Sequence, residues 1–215
     1  PSINNFHELL SCTYYFYQQN YYNPYRLKKM CGIVGFVSKE KNQDLIEKFV
    51  NDISHRGPDS SNYSIIYVGN NYLHLGSARL SIRGDSRENM PMVTESNNEI
   101  VYNGEVFDIN KLTKELNNNV NYLGDTRMLL DYLSIDEENI KNINGMFAFA
   151  FFNKEKKSLY LGRDKLGIKP LFYTEEHNGE IYFSSELSSL IKFSKKYQYI
   201  LIQKKFDFIV ITEFF

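Results

Sequence analysis

Residues 145 to 152, Gly-Met-Phe-Ala-Phe-Ala-Phe-Phe, form an apolar run short enough for a strand that is covered on both faces. A strand of that kind calls for a layered fold. The segments around it come in blocks. CGIVGFVS (31–38) reads as a buried strand and NQDLIEKFVNDI (42–53) as an amphipathic helix. YSIIYV, YLHLGSARLSI and EIVYN have strand character. DINKLTKELN and DTRMLLDYL show helical spacing, with Asp125 placed as an N-cap, and SLYLGRD, PLFYT and EIYFS return to strand character before a closing helix in SSELSSLIKF. That order suits two antiparallel sheets stacked between helical layers better than a regular βαβ alternation.

At 215 residues the chain is long enough for one substantial domain or at most two small ones. Its 25 Lys and Arg nearly balance 26 Asp and Glu, with no basic block, so neither nucleic acid nor an anionic membrane surface is an expected partner. The 2 cysteines, Cys12 and Cys31, make no disulfide framework, and the 4 histidines have no metal-ligand spacing. A reducing, cytoplasmic setting fits best. No run approaches the roughly 18 apolar residues that a membrane span requires.

Residues 1–29 are rich in Tyr, Asn and Gln without a sustained period, and are expected to be an unstructured leader or upstream extension. A domain is expected over 30–193. Beyond it, 194–215 turns to Lys, Ile and Phe without turn chemistry, an uncertain tail.

Met30-Cys31-Gly32 carries the main chemical question. Removal of an initiating Met30 would leave Cys31 with a thiol and a free α-amine on one carbon, nucleophile and base together. The plainer alternative is a small buried residue at the start of a strand. Asn103-Gly104, between EIVY and EVFDI, predicts a tight hairpin turn. Arg79 can be an ion-paired strand residue, Asp125 a helix cap and Glu105 an exposed charge.

The ordered motifs CGIVGF, HRGPDS, ARLSI, YNGE, GDT and GRDKLGIKPLFY, spread over 30–193, resemble the glutaminase domain of class II glutamine amidotransferases. HRGPDS, VYNGE and RDKLGIKPLFY point to the asparagine synthetase branch. The resemblance implies an α+β fold, the four-layer αββα sandwich of N-terminal-nucleophile hydrolases, and hydrolysis of L-glutamine to glutamate and ammonia through a glutamyl thioester on Cys31. It implies an oxyanion hole from the Asn103 side-chain amide and the Gly104 backbone N–H. Arg79 would hold the glutamine α-carboxylate and Glu105 with Asp125 the α-ammonium, while Leu80, Ser81, Ile82 and Arg83 would line the pocket. His55 to Asp59 would form a supporting loop, without a proton-transfer role.

No metal and no cofactor are expected in this domain. The resemblance implies a synthetase domain or subunit, using ATP and magnesium, that receives the ammonia; its Ser-Gly-Gly phosphate loop is absent from these residues. A homodimer is one expected assembly. Departures from the family pattern are Asn89, where Gln is common, and Arg127, where Glu is usual. Two other readings stay open. One is a catalytically silent, truncated or regulatory glutamine-binding module, favoured by residues that precede and block the Cys31 amine. The other is a phosphoribosylpyrophosphate amidotransferase-like glutaminase domain.

Overall fold

The computed structural model describes residues 30–80, 89–116, 120–176, 178–194, 200–201 and 208–211. The leader expected over 1–29 lies outside them. In chain order the strands are β1 (Gly32–Ser38), β2 (Ser60–Val68), β3 (Asn71–Arg79), β4 (Met92–Val93), β5 (Glu99–Val106), β6 (Gly145–Asn153), β7 (Ser158–Arg163), β8 (Phe172–Glu175), β9 (Ile181–Ser184), β10 (Ile200–Leu201) and β11 (Phe208–Ile211). The α-helices are α1 (Gln43–Asp52), α2 (Ile109–Leu116), α3 (Asp125–Ile135) and α4 (Leu187–Phe193).

The strands form two sheets, one in the order β10-β8-β9-β1-β3-β2 and the other in the order β11-β7-β6-β5-β4. Every strand pairing is antiparallel. The alternation of side chains along each strand explains how they stack. On β1, Ile33 and Val37 face the second sheet, while Val34 and Phe36 face α1 and α4. On β6, Ala148, Ala150 and Phe152 enter the core between the sheets, and Phe147, Phe149 and Phe151 pack against α3 on the other side. The run at 145–152 is therefore buried on both faces, and the molecule has the four layers that the αββα expectation requires.

Asn42 caps α1: its side-chain oxygen accepts from Leu45 N–H at 3.0 Å, and Ile46, Phe49 and Val50 supply the buried face. The hairpin turn expected at Asn103-Gly104 is not formed. Both residues lie inside β5, where Asn103 pairs with Ala148 and Gly104 with Phe147. The extended β6 ladder, not the local dipeptide preference, decides the backbone here. Glycine is required at 104 for proximity: a Cβ would stand 2.4 Å from the Met146 carbonyl oxygen and 2.7 Å from Phe147 Cα.

His74 on β3 is wholly buried, its ring stacked on Phe36 with centroids 4.0 Å apart. Its Nε2 accepts the Asn42 backbone N–H at 3.0 Å. Burial pushes its pKa down to about 4. Unfolded His74 therefore takes up a proton, as the pH falls from about 6.5, that the folded ring refuses. The resulting stability is present above that window and is lost as pH falls through it. His74→Gln, which keeps an acceptor for Asn42, is expected to remove on the order of 3 kcal/mol of the loss between pH 6.5 and 4. Denaturant titrations of both proteins at several pH values measure the difference in slope.

Candidate active site

Cys31 immediately precedes β1, so the central strand of the first sheet sets its position. Its half-buried Sγ accepts the Leu80 N–H at 3.4 Å and lies 3.7 Å from the Leu80 carbonyl oxygen, to which the thiol donates. The Cys31 carbonyl accepts Arg56 Nε–H at 3.2 Å. Arg56 in turn donates from Nη1 to Glu186 at 3.2 Å, and His55 Nε2 meets the same carboxylate oxygen at 2.9 Å. Gly32 leaves room for this grip: a Cβ there would stand 2.9 Å from Arg56 Cδ.

The HRGPDS segment also packs under Arg79. A Cβ on Gly57 would lie 2.4 Å from the Ala78 carbonyl oxygen and from the Arg79 carbonyl carbon, and Asp59 N–H donates to Arg79 O at 3.1 Å. Arg79 is 7% exposed at the end of β3, next to Leu80. Ser81, Ile82 and Arg83 lie outside the described residues.

On β5, Tyr102 and Val106 face the helices and Val101 faces the first sheet. Alternation puts Asn103 on the Val101 face, toward the sheet that carries Cys31. Asn103 is 2% exposed, and its Nδ2 is buried with no hydrogen-bond partner among the described residues. An amide donor left in that state costs about 1–3 kcal/mol. A donor without a partner, on the face toward the sheet that carries Cys31, suits an oxygen that becomes negative during reaction.

Asp125 is not an N-cap. Gly124 occupies that position, with no side-chain cap bond, and α3 starts at Asp125 itself. Its carboxylate looks away from its own helix: Oδ2 accepts the Tyr102 hydroxyl at 2.7 Å and Val106 N–H at 3.0 Å. Burial, reinforced by Asp125, pushes the Tyr102 phenol well above its usual range, and the charges of Glu105 and Cys31 act in the same direction. Cys31, Glu105 and Asp125 thus share one electrostatic neighbourhood, with Glu105 exposed at its rim.

Three participants had no individual role in the sequence reading. Arg56 and Glu186 hold the Cys31 backbone. Lys169, in the GIKP part of the sixth motif, is 8% exposed and points its ammonium at Met30 Sδ, 3.3 Å away. Burial lowers its pKa, while the charge of Cys31 opposes that shift. Its loop is built on Asp164, whose carboxylate accepts the backbone N–H groups of Phe147 (3.2 Å), Ile168 (2.9 Å) and Lys169 (3.0 Å). Only the motif itself marked this region; long-range packing identifies the lysine. A groove of about 470 Å³ lies between residues 140–147 and 163–168, and Cys31 is not among its lining residues.

Two antiparallel sheets between helical layers, with a thiol at the entrance of a central strand, define an N-terminal-nucleophile type of fold. The solved glutamine phosphoribosylpyrophosphate amidotransferase from B. subtilis has the same fold, with a TM-score of 0.61, 15% identity, and coverage of 76% of this chain and 43% of that one. The family model of the glutamine amidotransferase domain matches residues 30–213, and the chain belongs to that family. Among curated relatives, asparagine synthetase [glutamine-hydrolyzing] 1 of Bacillus subtilis (strain 168) is 36% identical over 173 residues, covering 75% of this chain and 27% of the relative. Asparagine synthetase B of Escherichia coli (strain K12) is 30% identical over 170 residues, covering 75% and 30% respectively. The chain thus spans under a third of the length of these relatives.

Asp125→Ala would leave the Tyr102 hydroxyl and the Val106 N–H without their carboxylate. A loss of about 2–4 kcal/mol in unfolding free energy is expected, with Asp125→Asn losing less because it retains an acceptor. Chemical denaturation of the two variants beside the parent tests this.

Proposed function

We propose that this domain hydrolyses L-glutamine to glutamate and ammonia in a form whose N-terminus is Cys31. The observation that carries the reading is Asn103 Nδ2, buried without a partner among the described residues and on the face of β5 toward the sheet whose β1 carries the Cys31 thiol, itself held at Leu80. The Cys31 α-amine, with an ordinary pKa of about 7.7–8.0, takes the thiol proton. The thiolate attacks the side-chain amide carbon of glutamine. Negative charge then gathers on the amide oxygen, where Asn103 Nδ2–H and Gly104 N–H receive it. The α-ammonium returns its proton to the departing ammonia, leaving a glutamyl thioester. Water adds to the thioester, the α-amine accepts its proton, and collapse returns the thiol and releases glutamate.

Arg79 binds the substrate α-carboxylate, and Glu105 and Asp125 bind its α-ammonium. Leu80 lines the pocket. None of these steps draws on a cofactor. We further propose that the ammonia passes to a synthetase domain or subunit that uses ATP and magnesium to convert aspartate to asparagine. The supporting observation is the identity of 30–36% to glutamine-hydrolysing asparagine synthetases. The free thiol chemistry suits a reducing cytoplasm.

The full chain, carrying a specific protease site inserted between Met30 and Cys31, provides the test. Ammonia release from glutamine is expected only after the cut exposes Cys31, and equal rates before and after would defeat the free-amine mechanism. In the cut protein, Cys31→Ala is expected to abolish turnover while leaving glutamine binding. Asn103→Ala is expected to lower kcat by about 10²–10³ with a smaller change in KM, as read from initial rates.

A further inference from the structure

Resting on that reading, one residue acquires a role from its place beside Met30. Lys169 is buried, and among the described residues its ammonium donates to a neutral thioether, Met30 Sδ, at 3.3 Å. Met30 is the residue joined to the Cys31 nitrogen. Its departure removes the lysine's contact and frees the Cys31 nitrogen. We propose that Lys169 is a positioning residue for the base of this site: with Met30 gone, its ammonium faces the free α-amine of Cys31 and keeps that amine unprotonated.

Two positive charges held close together disfavour each other, so the group that keeps its proton drives the other toward the neutral form. Lys169 is the holder because an ordinary lysine pKa of about 10.4 lies well above the amine's 7.7–8.0 and Glu105 and Asp164 act to keep its proton, although burial and Arg56 act against it. Arg56 reaches the Cys31 carbonyl at 3.2 Å and adds a second fixed positive charge against the amine. Arg79 lies one residue from Leu80, on the strand that receives the thiol. Against these stand Glu105, which is exposed and screened by solvent, and Asp164, whose carboxylate is already engaged by three backbone N–H groups. Glu186 is turned to Arg56 and His55. The Tyr102 phenol stays protonated across the working range and contributes no charge.

The Asp164 loop gives the arrangement its rigidity. The Asp164 carboxylate fixes both the Lys169 backbone and Phe147, and Phe147 is the ladder partner of Gly104. The lysine and the oxyanion strand are thereby tied to one buried carboxylate.

The cut full chain again provides the test, through the pH dependence of kcat/KM for glutamine and of Cys31 alkylation by iodoacetamide. Because the amine must be neutral to take the thiol proton, the acid limb follows its pKa. Lys169→Met is expected to move that limb about one pH unit higher in both measurements, and Lys169→Arg to restore it. An unchanged limb in Lys169→Met, or a fall in rate at every pH without a shift, overturns the proposal. Loss of activity in Lys169→Arg also overturns it, since the lysine would then be the proton acceptor. If Lys169→Met does not fold, nuclear magnetic resonance of the cut parent decides. Cys12 leaves with the released segment, so cysteine labelling reports Cys31 alone. An α-amine pKa below the ordinary 7.7–8.0 supports the role, and one at or above that range removes it. Cutting that fails to activate the parent instead defeats the underlying mechanism, which separates the two failures.

Discussion

The antiparallel seating of β1 between β3 and β9 is the constraint on which the rest depends. Every residue from Gly32 to Ser38 is buried, with alternate side chains committed to the core between the sheets and to the core under α1 and α4. A slip of one residue would turn Ile33 and Val37 out of one core and Val34 and Phe36 out of the other. The register is therefore strongly held, and the residue where the chain enters the strand is placed as firmly as the strand itself. That residue is Cys31. Its thiol meets Leu80 because Gly32 is locked opposite Ala78.

Two side-chain donors of the candidate site are left unmatched by the described residues. Asn103 Nδ2 and Arg56 Nη2 are both buried without a partner among the described residues. Such donors cost stability, and folded chains rarely keep them without cause. The compensation comes from the strands on either side: β5 and β6 pair over eight residues, and the aromatic side chains of β6 fill the layer beneath α3. Stable pairing allows the strand to carry an unsatisfied amide. Asp125 contributes in the opposite way, since its Oδ2 is engaged in joining β5 to α3 while its charge still reaches the same neighbourhood.

Much of the fold was legible in the chain. The apolar run at 145–152, the alternating strands and the amphipathic helix at Gln43–Asp52 follow from side-chain periodicity, which survives any arrangement that buries the same faces. Cys31, Asn103 and Gly104 were legible as candidate site residues from ordered motifs. Their local geometry was not. Asn-Gly favours a turn when only neighbouring residues are considered, yet a continuous ladder to Ala148 and Phe147 outweighs that preference. Asp125 has the chemistry of a cap, but a buried hydroxyl and a backbone N–H from another strand offered it stronger partners than its own helix.

By itself the sequence determined where the thiol, amide, guanidinium and carboxylate groups stand along the chain and which faces of each segment are apolar, because both properties belong to side-chain identity and short-range spacing. The tertiary structure alone decided which distant groups meet. Arg56 and Glu186 are 130 residues apart, and Lys169 lies 139 residues from Met30, so no local pattern ties them to the thiol. They converge because burying both faces of two sheets leaves one register for β1, and that register gathers their loops at a single end of the sandwich.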